Sequence, residues 1–186
     1  MTGGVRDGLG TSRHAAAAGV ILAAVEATYV WRVGLSAALA AFAYLGAIGT
    51  VVSVIDLRSR RLPDKIILPS YPATVALLAV ASGVEHDWWP LARAIIAAAL
   101  VAGFYLALGL AFPRGLGLGD VKLGGMLALG LGWLGWTTLA TGVLAGWCLA
   151  VFVLLARYAT QPATRGWPIA LGPWLCLGAV VAVGVR

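Results

Sequence analysis

Seven apolar stretches, roughly residues 15–31, 34–55, 66–84, 91–112, 121–136, 137–156 and 167–185, follow one another along the chain with only short polar breaks between them. Each is near the roughly 20 residues that a helix needs to cross the hydrocarbon core. In lipid a spanning segment must satisfy its own backbone hydrogen bonds, so the expected architecture is a bundle of helices. The fold class is therefore all-α, a polytopic transmembrane helical bundle of six to seven spans. The range arises because Glu26 interrupts the first stretch and the fifth is short and glycine-rich. Composition excludes the soluble alternative. Hydrophobic residues make up 61% and charged residues 11% of the 186 residues, too few charges to cover a water-facing surface.

The net charge of +6 raises nucleic acid as a partner, and the positions of the charges argue against it. The basic residues stand at the ends of apolar runs, without interleaved aromatic residues on which bases would stack. They fit a topological role instead. With the N-terminus inside, Arg6, Arg13, Arg58, Arg60, Arg61, Lys65, Arg114, Lys122, Arg157 and Arg165 fall on the inner side, and only Arg32, Arg93 and Arg186 on the outer. That asymmetry is the positive-inside pattern. Residues 1–186 are read as one membrane-embedded domain, with 1–14 a cytosolic tail and the catalytic region at about 34–136. Cys148 and Cys176 lie in apolar runs with no CxxC pair, so they read as packing residues rather than a metal site.

Seven acidic residues remain to be explained. Asp56 ends the second stretch and Asp120 opens the fifth, so both fall at the inner edge of the membrane. The hairpin of stretches three and four leaves and returns on that side, which lets its two ends meet. An acid near lipid is costly unless it faces protein or water, and is a functional candidate by default. Glu26 reads as a bundle-facing acid hydrogen-bonded to a neighbour. Asp64 reads as a loop residue or cap, and Lys122 as a side chain snorkelling to the interface. Gly124, Gly125, Gly130, Gly132 and Gly135 read as sites of close helix packing.

Two motifs surround the paired acids: Ile55-Asp56-Leu57-Arg58-Ser59-Arg60-Arg61-Leu62-Pro63-Asp64, and Gly115-Leu116-Gly117-Leu118-Gly119-Asp120-Val121-Lys122-Leu123. Pro63 interrupts regular helix. The alternating glycines clear side chains from beside Asp120, so that a peptide can approach its carboxylate. Together these segments resemble the paired signature of the GxGD-type aspartic prepilin peptidases. Pro168-Ile169-Ala170-Leu171-Gly172-Pro173-Trp174 more loosely resembles that family's Pro-Phe-Gly-Pro-type segment, with Leu171 where an aromatic residue is usual. A presenilin-type peptidase shares GxGD but sets its other aspartate within a Tyr-Asp span, whereas Ile55 precedes Asp56 here.

The resemblance implies a membrane aspartic endopeptidase that removes leader peptides from type IV prepilins or pseudopilins at the cytosolic face of the cell membrane. Asp56 and Asp120 would be catalytic, Gly117, Gly119, Pro63 and Asp64 would contact substrate, and neither metal nor cofactor would be required. Membrane lipids are the other expected partners, with Arg58–Arg61 assigned to headgroups and orientation. The chain lacks the cysteine-bearing insert of larger members, so it resembles the short, peptidase-only form without methyltransferase activity. Two further readings stand beside this one: a non-enzymatic component of a pilus or secretion apparatus, and a small proton-coupled transporter using Asp56, Asp120 and Glu26.

Overall fold

A computed structural model describes residues 4–112, 116–160 and 170–186, with side chains from residue 17 onward. The described residues form seven helices and no strand: α1 (Gly4–Val33), α2 (Leu39–Ser59), α3 (Asp64–Glu85), α4 (Trp89–Ala111), α5 (Leu118–Leu134), α6 (Trp136–Thr160) and α7 (Gly172–Gly184). Each apolar stretch holds one helix. The protein is an all-α polytopic bundle, in which α2, α3, α4 and α6 are long and apolar enough to cross a membrane. Helices α5 and α7 have 17 and 13 residues. At about 1.5 Å per residue α5 is at the lower limit of a crossing and α7 is short of it. Helix α1 starts at Gly4, well ahead of the apolar run expected from residue 15, so the backbone of the expected tail is helical from that point.

Helix α5 is the centre of the molecule, buried along almost its whole length from Val121 to Trp133. It can be central because it is thin. Gly124 lies against the ring of Tyr105 and Gly132 against Ala97, both on α4, while Gly130 meets Leu45 and Phe42 of α2. Without a hydrophobic drive between helices in lipid, such close backbone approach supplies much of the association energy. The same device joins α6 to α7, where Gly178 packs on the backbone of Gly146. The expected packing role thus holds at Gly124, Gly125, Gly130 and Gly132. It does not hold at Gly135, where a Cβ would meet nothing within 4 Å. Gly135 instead has φ +144°, a conformation that side chains disfavour, and forms the one-residue break between α5 and α6.

Chain direction alternates, so helix ends collect into two groups. At one end, arginines satisfy the carbonyls that a helix C-terminus leaves without intrahelical donors. Arg93 of α4 donates from Nε to the Gly132 carbonyl at 2.6 Å and from its guanidinium to that of Trp133, closing α5. Arg32 of α1 donates from Nε to the Gly184 carbonyl at 2.7 Å, closing α7. Both are cations at the negative end of a helix dipole. The other end gathers the C-termini of α2, α4 and α6 and the N-termini of α3, α5 and α7.

Glu26 departs from expectation. Its carboxylate does face the bundle, with Oε1 buried 2.6 Å from where a Cβ on Gly46 would stand, but among the described residues that oxygen has no hydrogen-bond partner. The reason is local: α2 presents a glycine at the contact and so offers no side-chain donor.

Candidate active site

The segment joining α2 to α3 is short and rigidly terminated. Arg60 turns left-handed at φ 52° and returns its N–H to the Asp56 carbonyl at 2.8 Å, ending α2. Pro63 follows in an extended conformation and caps α3. Asp56 is consequently held on the last turn of α2, where it is 4% exposed. Its Oδ2 accepts a buried hydrogen bond of 3.0 Å from the backbone N–H of Gly172, the first residue of α7.

Asp120 occupies the third position of α5, whose N-cap is Gly117. An acid at this position reaches back to the N-cap N–H, and Asp120 Oδ2 accepts that of Gly117 at 3.1 Å. The two carboxylates lie at the same end of the bundle, Asp56 near the C-terminus of α2 and Asp120 near the N-terminus of α5. Leu123, one turn beyond Asp120, completes the junction. A Cβ on Gly172 would stand 3.3 Å from Leu123 Cδ2 and 2.9 Å from Asp56 Oδ2. Each aspartate thus has one oxygen tied to a helix N-terminus.

The remaining motif residues surround this pair without all having the same exposure. Asp64 opens α3 and forms an ion pair with Lys122, whose Nζ lies 2.8 Å from each of its carboxylate oxygens. Lys122 therefore has a partner rather than extending alone to the interface, and Tyr71 Oη also holds its carbonyl at 2.6 Å. Gly117 is exposed, whereas the bare face of Gly119 is covered by Leu62: a Cβ there would stand 2.7 Å from Leu62 Cβ. Gly115, Pro168 and Ile169 lie outside the described residues. An apolar cavity of about 210 Å³ lies between α1, α2 and α7, its wall including Ser53 and Leu57 of α2 and Pro173 of α7 but neither aspartate.

Gly172 is the site residue that sequence reasoning did not single out. The proline-flanked segment around it gave a signal, but the direction of its N–H depends on how α7 meets α2.

Fold and site together define a polytopic membrane protein that brings two carboxylates to one edge of a helical bundle. The family model described as Type IV leader peptidase family matches residues 43–159, and the chain belongs to that family. It is 33% identical over 146 residues to the prepilin leader peptidase/N-methyltransferase of Escherichia coli (strain K12), covering 72% of this chain and 57% of that protein. It is 30% identical over 170 residues to the prepilin leader peptidase/N-methyltransferase of Pectobacterium carotovorum subsp. carotovorum, covering 86% of this chain and 56% of the relative. The chain thus spans little more than half the length of these curated relatives. No solved structure matches it.

Proposed function

We propose that this protein is an aspartic endopeptidase of the membrane that cuts the leader from type IV prepilin-like or pseudopilin substrates at the cytosolic face. The observation that carries the reading is that Asp56 on the last turn of α2 and Asp120 on the first turn of α5, on either side of the α3–α4 hairpin, lie at one end of the bundle. Family membership supports the substrate class. The basic residues at the same end, Arg58, Arg60, Arg61, Lys65, Lys122 and Arg157, support a cytosolic orientation.

Two neighbouring carboxylates cannot both ionise cheaply, so one proton is shared between them. Asp56 and Asp120 hold a water between their untied oxygens. The ionised member removes a proton from that water as its oxygen attacks the scissile carbonyl carbon, and the protonated member donates its proton to the carbonyl oxygen. Collapse of the tetrahedral intermediate returns a proton to the leaving nitrogen and restores the shared state.

The test is cleavage of a prepilin-like substrate in membranes that co-express it with wild type, Asp56→Asn or Asp120→Asn. Wild type is expected to release the leader, and each variant to lose at least about 1,000-fold in rate. Either variant cutting at the wild-type rate removes that aspartate from the chemistry. Failure of the wild type on several candidate pilins favours a non-enzymatic role.

A further inference from the structure

The first N–H groups of a helix have no acceptor within it. In α7 one of them, on Gly172, is directed into the protein and onto Asp56. This makes the two carboxylates unequal. The donor to Asp120 is Gly117, three residues away in the same helix cap, so that bond forms whenever α5 forms. The donor to Asp56 is 116 residues away, so that bond exists only when α7 is docked on α2. Space is as restrictive as the bond. With a Cβ at position 172 standing 2.9 Å from Asp56 Oδ2 and 3.3 Å from Leu123, any side chain there must move the carboxylate or the helix.

We propose that Gly172 is a positioning residue for the peptidase site: its N–H fixes one oxygen of Asp56 so that the other faces Asp120, and its bare Cα lets α7 approach closely enough to make that bond. The inference rests on the peptidase reading. It makes assembly of the catalytic pair depend on the docking of α7. That helix is held by the close approach of Gly178 to Gly146 and, at its far end, by Arg32 on the Gly184 carbonyl.

Two variants separate the bond from the space. Gly172→Ala keeps the N–H and adds the obstructing methyl. Incorporating glycolic acid at position 172, which makes a backbone ester, removes the N–H and adds no atom. Both are compared with wild type in cleavage of a prepilin-like peptide, with kcat and KM determined separately and the melting temperature measured in the same detergent. The ester variant is expected to lose about 100-fold in kcat, as misplaced catalytic groups do. Its KM should stay within about twofold of wild type, the pattern of a group acting after binding. Its melting temperature should fall by only a few degrees, the cost of one hydrogen bond to a charged group, with the protein still folded at the assay temperature. Gly172→Ala is expected to lose at least as much in kcat. An ester variant with wild-type kcat overturns the proposal, even if Gly172→Ala does not fold. A raised KM with kcat intact overturns it in favour of substrate binding. A wild type that cuts nothing removes the peptidase reading, and this inference with it.

Discussion

Lys122 Nζ stands 2.8 Å from both carboxylate oxygens of Asp64, an ion pair that ties the N-terminal part of α5 to the first turn of α3. The two side chains are 32% and 55% exposed. Solvent screening at such exposure leaves a net contribution to stability of about 0–1 kcal/mol. The position of the pair matters more than its strength, because Leu62 and Pro63 precede Asp64 directly and Asp120 lies two residues before Lys122. Asp64→Asn is therefore expected to shift unfolding by less than about 1 kcal/mol while slowing cleavage several-fold. The charge-swapped double variant, Asp64→Lys with Lys122→Asp, should recover much of the lost rate. Rates and melting temperatures of the three proteins decide the matter, and a swap as slow as the single variant assigns Asp64 a role other than pairing.

Arg93 serves a different end of the same helix. Its guanidinium holds the Gly132 and Trp133 carbonyls, where α5 stops before the single-residue turn at Gly135. Arg93→Met keeps most of the side-chain bulk and removes both bonds. Hydrogen bonds from a charged donor contribute roughly 1.5–3 kcal/mol each, and part of the loss is recovered by water at an interface, so a destabilisation of about 2 kcal/mol is expected. Chemical unfolding in detergent measures it. A change below about 0.5 kcal/mol, the usual size for an uninvolved surface residue, rules out this cap as a contributor.

The seven-helix skeleton was legible because apolar runs register the lipid directly: α2, α3, α4 and α6 begin and end within a few residues of the stretches that announced them. The start of α1 was not, because residues 4–14 are polar and carry no apolar run to mark a helix. Asp56 and Asp120 were found from the hairpin between them, which is a matter of chain direction alone. Their backbone donors were half visible. Gly117 lies three residues before Asp120 in the pattern of a helix cap, whereas Gly172 reaches Asp56 only through the docking of α7. The errors share that origin. Lys122 has Asp64 as a partner, and the buried Oε1 of Glu26 has no hydrogen-bond partner among the described residues, because each outcome depends on which face a neighbouring helix presents. Gly135 looked like its packed neighbours in sequence and differs in its positive φ and in the open space where a Cβ would stand.

Close packing of α5 makes its own prediction. A Cβ on Gly124 would stand 2.5 Å from Tyr105 Cε2, and Tyr105 is fixed from the other side by Trp147, whose Nε1 donates to its hydroxyl at 3.0 Å. Moving the ring aside would strain that hydrogen bond. Gly124→Ala is expected to destabilise the fold by about 1–3 kcal/mol, the usual cost of overpacking. In the background of Tyr105→Ala the same change should cost far less, since the obstructing ring is gone. A double-mutant cycle measures the coupling, and simple additivity of the two changes excludes the contact as the cause.

Gly119 allows a choice between two reasons for the same glycine. Beside Asp120, the proposed catalytic acid, a missing side chain would admit substrate, but here the space is taken by Leu62 of the protein itself, with Cβ at 2.7 Å and Cδ1 at 2.9 Å from where the methyl of alanine would sit. Gly119→Ala must push the α2–α3 connection away from α5, and is expected to cost about 100-fold in cleavage through displacement of the catalytic turn. Leu62→Ala should not rescue it, because the clashing Cβ remains. Leu62→Gly should restore part of the rate, because it removes that atom and leaves the methyl room. If neither change at position 62 helps and KM has risen, the added methyl obstructs substrate, and the open face of Gly119 serves recognition rather than the packing of Leu62.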